Sequence, residues 1–341
     1  MSLFLTVVPV DEAVGIVRRI APPIRSEEVA LADALHRVLA DDIRADTDVP
    51  GFNRSTVDGY AVIAADTVGA GEALPSMLNC AGRVAMGSRD TGRIAPGACA
   101  YVPTGGALPA GADAVVMIEH CEQVGEEVLV HRPVAPGENV VFAGEDFASG
   151  EVVLAKGRRL TPADLGVAAA VGAERVSVAA PPRIGIISTG NELVPITAVP
   201  APGEVRDVNS YLCGAFVAEQ GCIPVYYGIV RDDLGTLRDA LAAALAECDA
   251  VLISGGSSKD ERDNTAAAIR ALGEVLVHGI AIAPGKPTII GTAGEKPAIG
   301  LPGHPASAFV VLTAIVHPLL AAMMQTPERR RIVSARLGQN V

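Results

Sequence analysis

Strand and helix patterns alternate from Arg183 onward, and this alternation limits the possible folds more than any other feature of the sequence. Short apolar runs predict strands at residues 183–188, 224–230, 250–254, 276–282, 288–291 and 297–301. Helical patterns lie between them at 209–220, where Asn209 is the expected cap, and at 234–247, 264–272 and 306–321. Strands that alternate with helices form a mostly parallel, doubly wound sheet. We therefore predict a multidomain protein of the α/β class.

Ligands of such sheets bind beyond the carboxyl ends of the strands. Four loops that contain glycine are predicted at this edge: Ser188–Glu192, Ser254–Asp263, Ala283–Pro287 and Leu301–Ser307. The loop 254–263 joins a buried strand to a helix start, where backbone N–H groups bind anions. Each loop alone is compatible with a simple turn. Together with Lys286 they predict a site for a ligand that carries a phosphate and a ring.

The first half of the chain predicts two further parts. Apolar positions predict helices at 10–20 and 31–39, and Thr161 and Pro162 mark the start of another helix. Between them, residues 62–146 alternate short β-type runs with Gly and Pro, which is typical of an antiparallel β domain. We expect a small split helical domain (1–47 and 147–182), an inserted β domain (48–146), an α/β domain (183–325) and, from 326 to 341, the start of a further β domain.

Composition excludes several classes of function. The net charge of −12, the absence of Trp and an aromatic content of 3% argue against nucleic-acid binding and against anionic membranes. Six cysteines without a Cys-x-x-Cys motif indicate free thiols in a reducing compartment. The scattered histidines do not predict a zinc site. The apolar stretch from Pro305 to Met324 is interpreted as a buried helix, so a cytoplasmic protein is expected.

Several motifs, in order along most of the chain, resemble the MoeA family of molybdopterin molybdotransferases, which is related to the E domain of gephyrin. The matching stretches are Phe52-Asn-Arg-Ser-Thr-Val-Asp-Gly-Tyr-Ala-Val62, Pro103-Thr-Gly, Gly144-Glu-Asp146, Ser188-Thr-Gly-Asn-Glu-Leu193, Ser254-Gly-Gly-Ser-Ser, Pro284-Gly-Lys-Pro287 and Gly300-Leu-Pro-Gly-His-Pro. The resemblance implies a molybdopterin-binding α/β domain of the MogA type, a helical domain split by the β domain, and a C-terminal β domain that this chain would lack.

The resemblance also implies a reaction: adenylyl-molybdopterin is hydrolysed, AMP leaves, and molybdate enters the dithiolene with the help of Mg²⁺. The catalytic residues implied are Asp58, Glu192, Asp263 and Lys286, and the metal ligands implied are Asp263, Glu192 and Asp232. The ligand-binding residues implied are Thr104, Asp146, Ser254, Gly255, Gly256, Ser257, Gly285, Pro302, Gly303 and Ser307. A homodimer is expected because the β domain of this family faces the partner subunit. The molybdopterin adenylyltransferase and recipient molybdoenzymes are further expected partners.

Simpler interpretations stay open for individual residues. Asp263 and Ser307 could simply be helix caps without a catalytic or binding role. Asp58 could simply stabilise a turn before Gly59. Glu192 could be an acid in a first helical turn, and the pair Asp232-Asp233 could cap the helix predicted at 234–247.

The chain also departs from the family at three places. Ala283 stands where the family usually has a Lys, His304 replaces an Asn, and Lys259-Asp-Glu-Arg262 replaces a smaller segment that contains glycine. These changes affect the expected molybdate insertion more than pterin binding.

Three hypotheses therefore remain at this stage. The first is a molybdotransferase, or a paralogue that serves a tungsten or specialised molybdenum enzyme. The second is a molybdopterin carrier or scaffold without insertion chemistry, which Ala283 favours. The third is a generic nucleotide-binding α/β protein, which would bind ATP more tightly than molybdopterin.

Overall fold

The computed structural model describes residues 7–23, 25–88, 91–255, 264–326 and 334–336. Its contacts divide the chain into two compact units. The unit called here the α/β unit comprises Met1–Asp41, Ala155–Leu165 and Arg175–Val341. The other, called here the β unit, comprises Asp42–Leu154 and Gly166–Glu174.

Strands and helices are numbered in chain order. The strands are β1 (Ser26–Ala30), β2 (Ile43–Arg44), β3 (Arg54–Ser55), β4 (Gly59–Val62), β5 (Ser76–Arg83), β6 (Ala98–Val102), β7 (Ala114–Met117), β8 (Cys121–Val124), β9 (Glu127–Val130), β10 (Val140–Val141), β11 (Val152–Leu154), β12 (Arg175–Ala179), β13 (Arg183–Thr189), β14 (Leu193–Val194), β15 (Val205–Arg206), β16 (Ile223–Val230), β17 (Ala250–Ser254), β18 (Gly273–His278), β19 (Ile289–Ala293) and β20 (Lys296–Leu301). The α-helices are α1 (Val10–Ile20), α2 (Pro162–Ala170), α3 (Asn209–Glu219), α4 (Leu234–Glu247), α5 (Asn264–Leu272), α6 (Pro305–Val311) and α7 (His317–Met323).

The α/β unit contains the predicted doubly wound sheet. Its strand order is β16-β13-β17-β20-β19-β18, in which the first four strands are parallel and β19 is antiparallel to both of its neighbours. Helices α3, α4 and α5 begin and end within one residue of the positions predicted from the sequence. The prediction of an α/β fold is therefore confirmed.

Two apolar layers cover the faces of this sheet. Because side chains alternate along a strand, Leu252 of β17 points into the layer with α1, α3, α6 and α7, whereas Val251 and Ile253 point into the layer with α4 and α5. All three side chains are at most 1% exposed. Burial on both faces explains why this strand is an uninterrupted apolar run, as is usual for parallel sheets.

A single long helical segment, Pro305–Met323, consists of α6, a π-helical turn at Leu312–Val316 and α7. Within the described ranges it is the one helix that is long and apolar enough to span a membrane by length and composition. Val311, Leu312 and Ile315 are fully buried in the layer that also contains α1. The interpretation of this stretch as a buried helix agrees with its packing in the sheet layer.

Two sequence predictions in the α/β unit are wrong. The helix expected at 31–39 is only a 3₁₀ turn at Leu31–Asp33, because Val38 and Leu39 form β-bridges with Arg159 and Val178 instead. The strand expected at 276–282 lies earlier, at β18, and beyond it Ile280 bridges Val8. In both places pairing with distant chain segments overrides the local pattern.

The β unit is built around a six-stranded sheet with the order β7-β4-β6-β5-β9-β8. Tyr60, Val62 and Val116 lie in its core, together with Leu78 and Val128. The sheet is antiparallel as predicted, except that β5 and β6 are parallel. The connection between them spans residues 84–97, which is long enough to return the chain to the same end of the sheet.

Helix α2 begins with a capping box. Pro162 is its first residue, and the Thr161 N–H and hydroxyl group donate to Asp164 Oδ2 at 2.8 and 2.7 Å. Arg158 Nε donates to Asp164 Oδ1 at 2.9 Å. Burial alone would raise the pKa of Asp164, but these hydrogen bonds outweigh burial and lower its pKa. The predicted helix start at Thr161 and Pro162 is confirmed.

We predict that Asp164→Ala lowers the free energy of unfolding by about 2–3 kcal/mol, because it removes buried, charge-assisted hydrogen bonds. Urea unfolding followed by circular dichroism measures this change. Asp239→Ala is the control, since Asp239 pairs with Arg238 at an exposed site, and it should cost less than about 0.5 kcal/mol. Equal losses in the two variants would contradict the prediction.

The effect of Asp164 should depend on pH. Its folded-state pKa is lowered, so its stabilisation is complete above the unfolded value of about 3.9 and is lost as the pH falls through the folded-state pKa. The difference in stability between the wild type and Asp164→Ala should therefore shrink below about pH 4.

Candidate functional site

Three parallel strands of the α/β unit end side by side. Ser188 pairs with Ser254, and Ser254 pairs with Leu301, so the loops after β13, β17 and β20 emerge at the same edge of the sheet. Strand β19 begins at that edge as well, because Ile289 lies opposite Gly300. The described parts of the four predicted glycine loops therefore lie at the carboxyl edge, as the sequence indicated.

Gly255 is the closest point of contact between these loops. Its φ angle is +103°, and a Cβ atom at this position would lie 1.9 Å from the carbonyl oxygen of Thr189. The Gly255 N–H donates to the carbonyl oxygen of Leu301 at 3.3 Å, and a Cβ atom on Gly303 would lie 3.9 Å from Gly255 Cα. Only glycine fits at 255, because any side chain would separate the loops.

Asn209 connects the two glycine loops. Its Nδ2 donates to Ser254 Oγ and to the carbonyl oxygen of Gly303, both at 2.8 Å. The prediction that Asn209 caps α3 is wrong: Val208 stands at the cap position, and Asn209 is the first helical residue. The sequence gives only a weak signal that Asn209 joins two loops, since polar residues at a helix start ordinarily act as caps.

A second polar network lies one residue further along α3. Asp207 Oδ1 accepts from the Ser188 hydroxyl at 2.9 Å and from the backbone N–H of Ser210 at 3.1 Å. The hydroxyl of Ser210 also donates to Asp207 Oδ2. These three buried side chains join β13 to the start of α3, and sequence reasoning did not single them out.

The loop before β19 holds Lys286 in a defined backbone geometry. Gly285 has a φ of +123°, and a Cβ atom there would lie 2.9 Å from the side chain of Val311. The Thr288 hydroxyl donates to the Gly285 carbonyl oxygen at 2.7 Å. Lys286 is exposed, and its carbonyl oxygen accepts from the Ile280 N–H at 3.0 Å. The loop therefore presents a cation to solvent on a rigid backbone.

Ser307 lies in the first turn of α6, where it is half-buried. The residue at the cap position is His304 rather than Ser307, so the alternative that Ser307 is only a helix cap is wrong. Pro302 is buried, whereas Gly303 is exposed at the start of this segment.

A cleft of about 510 Å³ lies at the same edge. It is lined by Gly190, Asn191, Leu193, Ile229, Val230, Arg231, Asp232 and Asp233. Asp232 Oδ1 accepts from Asn264 Nδ2 at 3.1 Å, and the Glu192 carboxylate lies against Gly190, 2.7 Å from where a Cβ atom would stand. Asp232 therefore lines the cleft, and Glu192 lies on the same loop as Gly190 and Asn191, which line it.

The alternatives for these two acids are resolved by their contacts. Asp233, and not Asp232, caps α4 by accepting from the Thr236 N–H at 2.9 Å. These hydrogen bonds from Thr236 lower the pKa of Asp233. Glu192 lies in a turn before β14 and not in a helix. The predicted cap at Asp232-Asp233 is therefore confirmed through Asp233, whereas Glu192 does not lie in a first helical turn.

The donor chemistry of this wall fits Mg²⁺. Mg²⁺ keeps several waters and is usually held by one or two carboxylates together with substrate phosphates. Within the described part of the chain, three acidic, His or Cys side chains do not converge tightly enough to hold a metal by themselves. An Asp232 carboxylate in the cleft, with a Glu192 carboxylate on the adjoining loop, is a donor set that suits a hydrated ion shared with a phosphate ligand.

Three predicted site residues lie outside the described residues. Gly256, Ser257 and Asp263 belong to residues 256–263, between β17 and α5. Their predicted roles as anion-binding and metal-binding residues remain predictions, as does the alternative that Asp263 caps α5.

The β unit has a polar cluster of its own. Asp58 Oδ1 accepts from the backbone N–H of Thr104 at 2.8 Å and from its hydroxyl at 3.2 Å. Both residues are exposed, and Ser55 links the two loops because its N–H donates to Gly106 and its carbonyl oxygen accepts from Gly105. Asp58 therefore does more than stabilise its own turn.

Asp146 lies on a different loop of the β unit. It is exposed, and its backbone N–H donates to the Val49 carbonyl oxygen at 3.0 Å. Nearby, Asn53 Oδ1 accepts from the Ala143 N–H at 2.9 Å. These backbone and side-chain hydrogen bonds thus hold the loop that contains Asp146 against the segment that precedes Asp58.

Comparison with known proteins places these features in context. The model for the "MoeA N-terminal region (domain I and II)" matches residues 8–172, and that for the "Probable molybdopterin binding domain" matches residues 185–322. A protein of Methanocaldococcus jannaschii named for molybdopterin biosynthesis is 41% identical over 292 residues, which cover 83% of this chain and 71% of the relative.

Further relatives carry more specific names. The molybdopterin molybdenumtransferase of Bacillus subtilis is 35% identical over 329 residues, which cover 94% of this chain and 76% of that enzyme. The crystal structure of the MoeA protein of Pyrococcus horikoshii is 41% identical with a TM-score of 0.82, covering 94% of this chain and 81% of that one.

We predict that Gly255→Ala lowers the free energy of unfolding by at least about 2 kcal/mol, because the added methyl group meets the Thr189 carbonyl oxygen at a positive φ. Denaturant unfolding followed by far-ultraviolet circular dichroism suits this protein, which has no Trp. Gly235→Ala in the first turn of α4 is the control, since its Cβ would be 3.5 Å from the nearest atom. If both variants were equally stable, the close approach at Gly255 would not be real.

Proposed function

Because this chain belongs to the MoeA family, we propose that it hydrolyses adenylyl-molybdopterin and inserts molybdate into the dithiolene, which gives molybdenum-bound molybdopterin and AMP. Its curated relatives named molybdopterin molybdenumtransferase are enzymes of molybdenum cofactor biosynthesis, and this chain is an enzyme of the same pathway. The substrate, the chemical steps and the residue roles below are our proposal.

The proposed reaction has two parts. Water adds to a phosphorus atom of the pyrophosphate, the bridging P–O bond breaks, and the two phosphates leave as AMP and free molybdopterin phosphate. Two Mo–S bonds then form between molybdate and the dithiolene, while protons and oxygen are released as water. Neither step needs an oxidant or a reductant, since molybdenum enters at the oxidation state that it has in molybdate.

The observation that carries the proposal is the convergence of the four glycine loops at the carboxyl edge of the sheet. A pyrophosphate needs several N–H donors and a nearby cation. The loops after β17 and β20 approach each other at Gly255 and Gly303, and Lys286 stands on the loop before β19. In a protein with a net charge of −12, such local donors are required to bind an anion.

We assign the residues as follows. Lys286 neutralises phosphate or molybdate as a point charge. Glu192 and Asp232, with Asp263, hold Mg²⁺, which supplies Lewis acidity at the phosphate when it is bound. The backbone N–H groups near Gly255, Gly256 and Ser257 hold phosphate oxygens, whereas Ser254, Gly285, Pro302, Gly303 and Ser307 shape the remaining wall of the ligand site.

The β unit contributes to the same chemistry in a homodimer. Asp58, Thr104 and Asp146 are exposed polar residues. We propose that the β unit of one subunit faces the carboxyl edge of the other subunit. Delivery of substrate by the molybdopterin adenylyltransferase, transfer to recipient molybdoenzymes, a cytoplasmic location and the four-part domain division belong to the same proposal.

The reaction is tested by release of AMP from adenylyl-molybdopterin with Mg²⁺ and molybdate, measured by liquid chromatography. Asp263→Asn should reduce the rate at least about 100-fold, because a metal-binding or water-orienting carboxylate is lost. Asp239→Asn, on the exposed side of α4, is the control and should retain the wild-type rate. AMP release that survives in Asp263→Asn would refute the assignment of Asp263.

The shared site is tested by mixing two inactive variants. Asp58→Asn and Asp263→Asn should each lose activity, but random pairing would produce mixed dimers with one intact site in half of the molecules. Activity should therefore recover to about a quarter of wild type if the site spans two subunits. Activity that stays at the level of the single variants would show that the residues act within one subunit.

Ala283 favours a second candidate function, a molybdopterin carrier. It is exposed on the loop before β19, at the position where the resembled family usually has a Lys, so one positive charge is absent. Tight binding of molybdopterin without AMP release would support this function. Ala283→Lys should then raise the rate of molybdate insertion. An unchanged rate would indicate that Lys286 alone supplies the positive charge that insertion needs.

A further inference from the structure

Asn209 uses both hydrogens of its side-chain amide to hold two loops. Nδ2 donates to Ser254 Oγ, at the end of β17, and to the carbonyl oxygen of Gly303, after β20, with both distances 2.8 Å. The orientation of the amide is defined, because a carbonyl oxygen accepts only and requires the NH₂ group on its side. The side chain is 93% buried, with a relative exposure of 7%.

We propose that Asn209 is a positioning residue that sets the distance between the backbone at Ser254 and Gly255 and the backbone at Gly303, and thereby the shape of this part of the ligand site. The proposal depends on the proposed function for the identity of the ligand, whereas the coupling of the loops does not. Neither side-chain contact with substrate nor proton transfer is assigned to Asn209.

The geometry of the loops shows why such a connection is needed. The two loops meet at Gly255 and Gly303, where the Gly255 N–H to Leu301 hydrogen bond is long at 3.3 Å. Gly255 has no side chain to restrict its backbone. Apart from strand pairing and the Thr265 hydroxyl, which donates to the Gly255 carbonyl oxygen at 3.2 Å, the two 2.8 Å bonds from Asn209 are the short polar contacts that join these loops among the described residues.

The environment of the Asn209 amide oxygen, Oδ1, argues against a purely stabilising role for this residue. Among the residues that the structure describes, Asn209 Oδ1 is buried without a hydrogen-bond partner. A buried acceptor without a partner destabilises the folded state. An apolar residue would fill this position without that cost, so the benefit of Asn209 lies in where it holds the loops.

Ser210 is the natural control because it is the next residue of the same helix. Its buried hydroxyl bonds Ser188, at the carboxyl end of β13, and Asp207, just before α3, and neither of these lies on the Gly255 or Gly303 loop. Asn209→Ala and Ser210→Ala therefore each remove a buried polar group at the start of α3, but only the first removes the loop contacts.

The coupling is tested by hydrogen exchange with mass spectrometry on the ligand-free protein. In Asn209→Ala, peptides that contain Gly255 and Gly303 should exchange at least about tenfold faster than in wild type, because local opening becomes easier. In Ser210→Ala the same peptides should change less than about twofold, while the β13 peptide exchanges faster. Equal changes in the two variants would overturn the proposal, since Asn209 would then act only through general stability.

The effect on ligand binding is measured with molybdopterin by calorimetry. The Kd should rise about tenfold in Asn209→Ala and remain within about twofold in Ser210→Ala. Asn209→Asp, which keeps the shape but places a carboxylate against the Gly303 carbonyl oxygen, should bind no better than Asn209→Ala. Faster exchange with an unchanged Kd would also overturn the proposal. If wild type releases no AMP, the proposed reaction fails, and hydrogen exchange alone then decides whether Asn209 couples the loops.

Discussion

The backbone of residue 255 passes so close to the Thr189 carbonyl oxygen that no side chain fits between them. This contact brings together the ends of β13 and β17, and the Gly255 N–H extends it to Leu301 at the end of β20. Three parallel strands thereby end at one compact edge instead of in three separate loops. The position of the cleft, of the Lys286 loop and of the start of α3 all depend on that edge.

The sheet behind the edge supplies the rigidity. Each central strand buries alternate side chains in two apolar layers, and each such side chain contributes roughly 1.5–3 kcal/mol. The polar groups at the strand ends are buried against this framework, and most of them are satisfied by one another. Asn209, Ser188, Asp207 and Ser210 form these bonds at the start of α3. A polar edge on a rigid apolar sheet is the arrangement that can present backbone donors to an anion without reorganising them.

Membership of the MoeA family gives this edge a chemical context. In the proposed reaction, a strongly acidic protein binds pyrophosphate and molybdate and cannot rely on its overall field, because that field repels both anions. Local features would have to overcome this repulsion: backbone N–H groups, Lys286 and the carboxylates that we propose as ligands of a divalent cation. The second polar cluster, Asp58 with Thr104 in the β unit, makes chemical sense in the proposed dimer, where it would complete the same site.

The sequence alone determined the class of the sheet and the bounds of its main helices, because apolar periodicity and glycine loops are local signals. It also indicated which loops gather at the carboxyl edge, since parallel pairing leaves little freedom once the strands are assigned. It could not determine that residues 31–39 are bridged rather than helical, since Val38 and Leu39 pair with residues far along the chain. Nor could it show that Asn209 is the first residue of α3 instead of its cap, and that its side chain joins two loops. Those outcomes depend on contacts between distant segments, which only the tertiary structure brings into hydrogen-bonding distance.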